Sequence, residues 1–280
     1  MRHIEENKSA GIMYRKWLAP IPEAVALLVH GMGAHTGRWE AFGEYFRGEG
    51  ISSYALELRG FGATPPPKGH VRSFRVYLDD IDPLMDIISA EAAGKDVFIV
   101  GESMGALIAM LKVMEHRRAF SGLVCMSPAF KDIMHVPLSM YMAIFAALAY
   151  NPEKTFRMPF DSHMCTRDER YRTAMDEDHL ETRHASARLC FELLKAQIKC
   201  VREAGSLELP VMFLSAGQDK LVDTKVIGEV FKRVKSGKKT LLAYPGMYHS
   251  LSIDNGREQV FRDIREWMRS VTRSDGMERG

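Results

Sequence analysis

Metal-ligand spacing, a block of like charge and a long apolar run are all missing from this 280-residue sequence. The four cysteines, Cys125, Cys165, Cys190 and Cys200, include no CxxC pair and no histidine at zinc-finger distance, so neither a redox motif nor a metal site is expected, and idle or buried thiols are. Lys and Arg total 38 against 36 Asp and Glu, a formal net charge of +2. Without basic blocks interleaved with aromatics, nucleic acid is excluded as an expected partner. No apolar stretch reaches the roughly eighteen residues of a membrane span. The opening MRHIEENKSAGIMYRKW is polar where a secretory leader needs an apolar core, so the expected location is cytoplasmic. Neither GxxxxGK[ST] nor GxGxxG occurs, which argues against a nucleotide phosphate site, and no repeats or low-complexity segments are present.

What is present is a core: 46% of the residues are hydrophobic, arranged in short apolar runs that alternate with helical patterns. Residues 24–29, 53–58, 97–100, 123–126, 211–214 and 240–244 read as buried parallel strands. Residues 38–47, 77–92, 104–116, 225–234 and 258–268 read as helices; in the last, Phe261, Ile264, Trp267 and Met268 share one face. Strand–helix alternation predicts right-handed βαβ units, an α/β fold with a doubly wound, mostly parallel sheet, and ligands beyond the carboxyl ends of the strands. Residues 131–206 break the alternation. They offer helical stretches and no convincing strand, and are expected to form an inserted helical cap, with residues 1–130 and 207–280 as the core domain. Within the cap, residues 133–150 are mostly apolar and include Met134, Met140, Met142 and Phe145. They either pack on the sheet domain or roof a site for a lipophilic substrate. Residues 271–280 are expected to fray.

The chemistry starts at GESMG, residues 101–105, between the strand 97–100 and the helix that follows. A GxSxG pattern by itself is loose, but in a strand–turn–helix it is the elbow that lifts a serine hydroxyl above a sheet. Serine needs an imidazole to take its proton and a carboxylate to orient that imidazole. Asp219 follows the strand 211–214, and His249 follows the strand 240–244. The order Ser103, Asp219, His249 is that of the α/β-hydrolase triad. Asp223 is the alternative acid, but lies farther from the strand end. His163, His179 and His184 fall in the cap among charged residues, and His3, His116 and His135 lack a strand-end setting. The N–H of Met104, after the nucleophile, and that of Met32, in the HGMG turn after the first strong strand, are the expected oxyanion donors.

With these parts placed, the chain resembles the monoacylglycerol lipase and lysophospholipase group of serine hydrolases with the α/β-hydrolase fold. The likeness rests on residues 28–39 (LVHGMGAHTGRW), 58–80 (LRGFGATPPPKGHVRSFRVYLDD), 100–106 (VGESMGA), Ser127-Pro128, 217–223 (GQDKLVD) and 244–249 (YPGMYH). The resemblance implies Ser103 as nucleophile, His249 as base, Asp219 as orienting acid, the Met32 and Met104 amides as oxyanion hole, a mobile apolar cap, and neither metal nor organic cofactor. Ala34 stands where eukaryotic members commonly carry a glycerol-contacting Glu, and Glu102 where the group often has His; Arg38 matches the group's Arg.

The expected function is hydrolysis of small lipophilic carboxylic esters, monoacylglycerols or lysophospholipids among them, through an acyl-serine intermediate. The same machinery also serves thioesterases, amidases and acyltransferases, and a non-catalytic receptor could keep the pocket. The apolar cap further suggests transient contact with a membrane surface. The sequence is silent on oligomeric state.

Overall fold

The structure, a computed structural model, describes residues 5–7, 11–116 and 119–278. Its centre is an eight-stranded sheet made of β1 (Glu5–Asn7), β2 (Ile12–Trp17), β3 (Ala24–Val29), β4 (Ile51–Glu57), β5 (Asp96–Glu102), β6 (Gly122–Met126), β9 (Val211–Ala216) and β10 (Lys239–Tyr244). The strand order is β1-β2-β4-β3-β5-β6-β9-β10. From β4 to β10 every pairing is parallel, while β2 runs antiparallel to β4 and β1 antiparallel to β2.

The period of two along each strand distributes its side chains between two cores. In β3, Val25, Leu27 and Val29 join the core on one side of the sheet, with Tyr77, Leu84 and Leu107. Ala24, Ala26 and Leu28 join the other, with Phe42, Phe46, Phe261 and Ile264. Both faces being covered, β3 reads as an unbroken apolar run, and all six of its residues are buried. Helices α1 (Glu40–Gly48) and α9 (Arg257–Glu278) pack on the second face, where Phe42 stacks on Phe46 at 4.1 Å and meets Phe261 edge-on at 5.3 Å. Helices α2 (Arg75–Glu91) and α3 (Met104–Glu115) cover the first. Helix α3 is buried from Met104 to Val113, and its one enclosed charge, Lys112, donates to the Leu78 carbonyl at 2.9 Å and to Asp82.

Between β6 and β9 the chain forms α4 (Leu138–Tyr150), β7 (Thr155–Arg157), α5 (Ser162–Cys165), α6 (Glu169–Glu177), β8 (His184–Ser186) and α7 (Ala187–Glu203), before α8 (Thr224–Arg233) resumes the alternation. These elements sit over loops that leave the carboxyl ends of the strands: Thr182 N–H donates to the Gly33 carbonyl, Ser186 N–H to Gly69, and Asp132 bridges to Val222. Among the described residues, no helix is long and apolar enough to cross a membrane.

Three expectations need correction. Strands β1 and β2 were not foreseen in the polar N-terminal stretch, because β2, beside the parallel set, mixes Arg15 and Lys16 with Ile12, Tyr14 and Trp17 rather than running apolar throughout. The segment expected to lack strands holds the antiparallel pair β7–β8, with Phe156 opposite Ala185; three-residue strands are too short to show a period. Helix α9 runs on to Glu278, past Val271, and residues 279–280 lie outside the described residues, as does His3.

Helix α1 approaches Trp17 so closely that a Cβ on Gly43 would sit 2.2 Å from the indole. Gly43→Ala is therefore expected to destabilise the fold by about 1–3 kcal/mol through overpacking, despite the better helix propensity of alanine. A thermal melt several degrees below wild type checks this.

Candidate active site

Ser103 lies between the end of β5 and the start of α3 with φ 58° and ψ −120°, one of two non-glycine residues with positive φ among those described. Such a conformation costs on the order of 1–3 kcal/mol and persists only where neighbours enforce it. Here they do. The Ser103 N–H donates to the Met126 carbonyl at 2.9 Å, and its own carbonyl accepts from Ala106 and Ala129. A Cβ on Gly101 would fall 2.3 Å from the Gly105 carbonyl oxygen, and one on Gly105 would fall 2.1 Å from that of Val29. The GxSxG glycines thus let α3 start directly against β3, leaving Ser103 half-buried at the carboxyl end of a central strand.

His249, in the turn after β10, is buried, and its Nδ1 lies 2.8 Å from Asp219 Oδ2. The other Asp219 oxygen accepts from the N–H groups of Leu221 (2.8 Å) and Val222 (3.0 Å), and the carboxylate is fully enclosed. Burial works against charge on both partners. The charge of the imidazole and the three hydrogen bonds outweigh it at Asp219, holding the carboxyl below its ordinary value. At His249 the Asp219 charge and hydrogen bond, with Glu102 and Asp132 beyond, raise the imidazole above 6.5. Asp223 is elsewhere: it caps α8 through the Lys225 N–H and pairs with Lys131. His116, His135, His163, His179 and His184 are all exposed.

The HGMG turn at residues 30–33 faces the elbow; a Cβ on Gly31 would lie 3.1 Å from that of Ser103. Among the described residues, no backbone carbonyl accepts from the Met32 or Met104 N–H. A buried polar network supports this turn from below. His30 Nδ1 donates to the Gly31 carbonyl at 2.8 Å while its Nε2 accepts from the Leu58 N–H at 3.1 Å, which defines a neutral ring. Thr36 donates to both oxygens of buried Glu57 and accepts from Arg15 Nε at 2.9 Å. From above, the turn is tied to the inserted segment: Arg38 pairs with Glu181 at 2.6 Å, and His35 Nε2 lies 2.9 Å from Asp178 Oδ2.

Ser103, His249, Glu102, Arg38 and Met32 line one small cavity of about 60 Å³. Met32, Asp132, Met134 and Leu193 also line a neighbouring groove of about 840 Å³, walled by apolar side chains of α4 and α7 such as Ile144, Phe145, Leu148 and Ile198. A small chamber that holds the charged groups thus shares walls with a wide apolar groove. The sequence reading had not foreseen Glu102, Glu57, Arg15 or Leu193 as parts of this surround. Only the adjacency of Glu102 to Ser103 hinted at any of them; the rest come together through tertiary packing.

The fold and this pocket define a lipase/esterase-like α/β-hydrolase. Within that class the chain belongs to the serine aminopeptidase, S33 family, which it matches over residues 20–256. It is similar to phospholipase YtpA of Bacillus subtilis (strain 168), with 31% identity across 89% of this chain and 96% of that protein. Human monoglyceride lipase is 29% identical across 91% of this chain and 85% of its own length. The crystal structure of a Paleococcus ferrophilus monoacylglycerol lipase superposes with a TM-score of 0.84 at 25% identity, covering 93% of this chain and 99% of that one. The likeness to the monoacylglycerol lipase and lysophospholipase group read from the sequence therefore holds.

The burial of neutral His30, which depresses its pKa from 6.5 to about 3, makes an acid-stability prediction. An unfolded chain takes up this proton near 6.5 and the folded one does not, so the contribution is complete above that value and is lost as pH falls toward 3, by up to about 1.4 kcal/mol per pH unit. Urea unfolding at successive pH values should show a steeper acid loss in wild type than in His30→Asn.

Proposed function

We propose that this protein hydrolyses carboxylic esters of lipophilic acyl chains, with Ser103 as nucleophile, His249 as general base and Asp219 as the acid that orients it. The observation that carries the reading is the enclosed His249–Asp219 pair, 2.8 Å apart, opening on the same cavity as a serine held at positive φ. Asp219 accepts from Nδ1–H, which leaves Nε2 as the proton acceptor. Ser103 attacks the ester carbonyl as its proton passes to His249. The Met32 and Met104 N–H groups receive the oxyanion, and the imidazolium then protonates the departing alcohol. Water, deprotonated by His249, attacks the acyl-serine in the second half and releases the acid.

The groove beside the cavity supports a lipophilic acyl group as the part of the substrate held longest, since its apolar walls reward chain burial at about 25 cal/mol per Å². Residues 131–206 act as the cap over it. Leu138, Met142 and Phe145 on α4 are 77%, 67% and 54% exposed, far more than a helix packed on a core would leave open. They fit a cap that touches a lipid surface while substrate enters. Monoacylglycerols and lysophospholipids, one chain with one polar end, suit a long apolar groove joined to a small chamber where Arg38, Glu102 and Glu181 stand.

Ser103→Ala should lower ester turnover about 10⁴-fold and abolish labelling by a fluorophosphonate probe, without changing the melting temperature. Full turnover in that variant refutes the proposal. A parallel panel of esters, thioesters and amides assigns the bond cleaved. Leu193→Trp, at the junction of chamber and groove, should reduce kcat/KM for long acyl chains on the order of tenfold while sparing acetyl and butyryl esters.

A further inference from the structure

Glu102 precedes the nucleophile and is almost wholly buried, yet neither of its oxygens is spent on its own strand. Oε1 accepts from the Ser252 N–H at 3.0 Å and Oε2 from the Ser252 hydroxyl at 2.8 Å. Ser252 lies three residues beyond His249 in a tight turn, closed by Leu251 N–H on the His249 carbonyl and by Ile253 and Asp254 N–H on Ser250. The far side of that turn is held by Asp254, whose carboxylate accepts from the Tyr248 and Arg167 N–H groups and from Arg167 Nε. The strand that carries Ser103 therefore grips the turn that carries His249 through one carboxylate.

We propose that Glu102 is a positioning residue for His249, its carboxylate clasping Ser252 so that the imidazole stays at the cavity it shares with Ser103 and adding a negative charge besides that of Asp219 that favours the imidazolium formed during acyl transfer. The inference rests on the hydrolase reading of Ser103 and His249. The charged groups acting on His249 are Asp219, Glu102 and Asp132; those acting on Glu102 are His249 and Arg38, and Arg38 is itself paired with Glu181. Burial raises the Glu102 carboxyl, and the two Ser252 hydrogen bonds, His249 and Arg38 oppose that rise. Protonating His249 relieves an excess of negative charge, and Asp219 is not its sole source. A histidine at position 102, common in the group this chain resembles, brings no such charge.

Two kinds of variant separate charge from clasp. In Glu102→Gln the amide oxygen still accepts from the Ser252 N–H and the amide NH₂ donates to its hydroxyl, so only the charge is lost. Ser252→Ala keeps the charge and removes one bond. Steady-state kinetics on a short-chain p-nitrophenyl ester from about pH 5 to 9 give the acidic limb of kcat/KM. NMR titration of His249 in the Ser103→Ala background reads the imidazole without turnover. Glu102→Gln should move both the limb and the titration to lower pH by on the order of half a unit to one unit, and lower plateau kcat about tenfold at unchanged KM. Ser252→Ala should lower kcat and leave the titration in place. Glu102→His serves as a second variant without the negative charge and should move the limb in the same direction. Either variant, folded by its melting curve, whose limb and titration coincide with wild type overturns the proposal. A wild type without ester turnover would instead refute the hydrolase reading, and the NMR titration would still test Glu102.

Discussion

The close approach of α3 to β3 is the constraint from which the site is built. With the Val29 carbonyl where a Cβ of Gly105 would be, helix and strand meet with no side chain between them, and the residue before the helix is forced to positive φ. That strain is held by a helix buried through ten consecutive residues, whose apolar contacts outweigh a cost of a few kcal/mol. Because β3 ends beside the same elbow, its HGMG turn is brought against Ser103 without further design. The parallel order β3-β5-β6-β9-β10 then sets the loops after β9 and β10, with Asp219 and His249, at the same carboxyl end of the sheet.

A second level of organisation ties the inserted segment to this end of the sheet. The hydrogen bond from Thr182 to Gly33, the His35–Asp178 contact and the Arg38–Glu181 pair all join residues 178–182 to the turn below the chamber, and Arg167 reaches Asp254 next to the His249 turn. Displacing the segment would have to break partly buried charge pairs, which leaves uncompensated charge behind and is strongly unfavourable. Among the described residues, the apolar helix α4 makes no such ion pair with the chamber, and it presents exposed Leu138, Met142 and Phe145. The segment is thus anchored by polar contacts at one end and open and apolar at the other.

Much of the sheet was legible in advance because strands covered on both faces are buried at every position and nearly all apolar, as β3, β6 and β9 are. The edge was not: β1 is polar, β2 mixes Arg15 and Lys16 with Tyr14 and Trp17, and β7 and β8 have three residues each. Ser103, Asp219 and His249 were readable from the strand ends they follow, and His249 does meet Asp219 rather than Asp223. Glu57 and Arg15 left no trace and Glu102 only its place beside Ser103, since a buried charge looks the same in sequence as a solvated one.

The sequence by itself determined the fold class, the chain order of Ser103, Asp219 and His249 and the glycines that the elbow requires, because each follows from local pattern: apolar run, strand-end loop, a small residue where a backbone must pass. Tertiary structure alone decided the surroundings of those residues. Which carboxylate faces the imidazole, that Glu102 reaches Ser252 150 positions away, and that α4 and α7 open an apolar groove beside a 60 Å³ chamber all depend on distances between distant segments. No periodicity records such distances, since the energy of a buried charge depends on what packs around it and not on its neighbours in the chain.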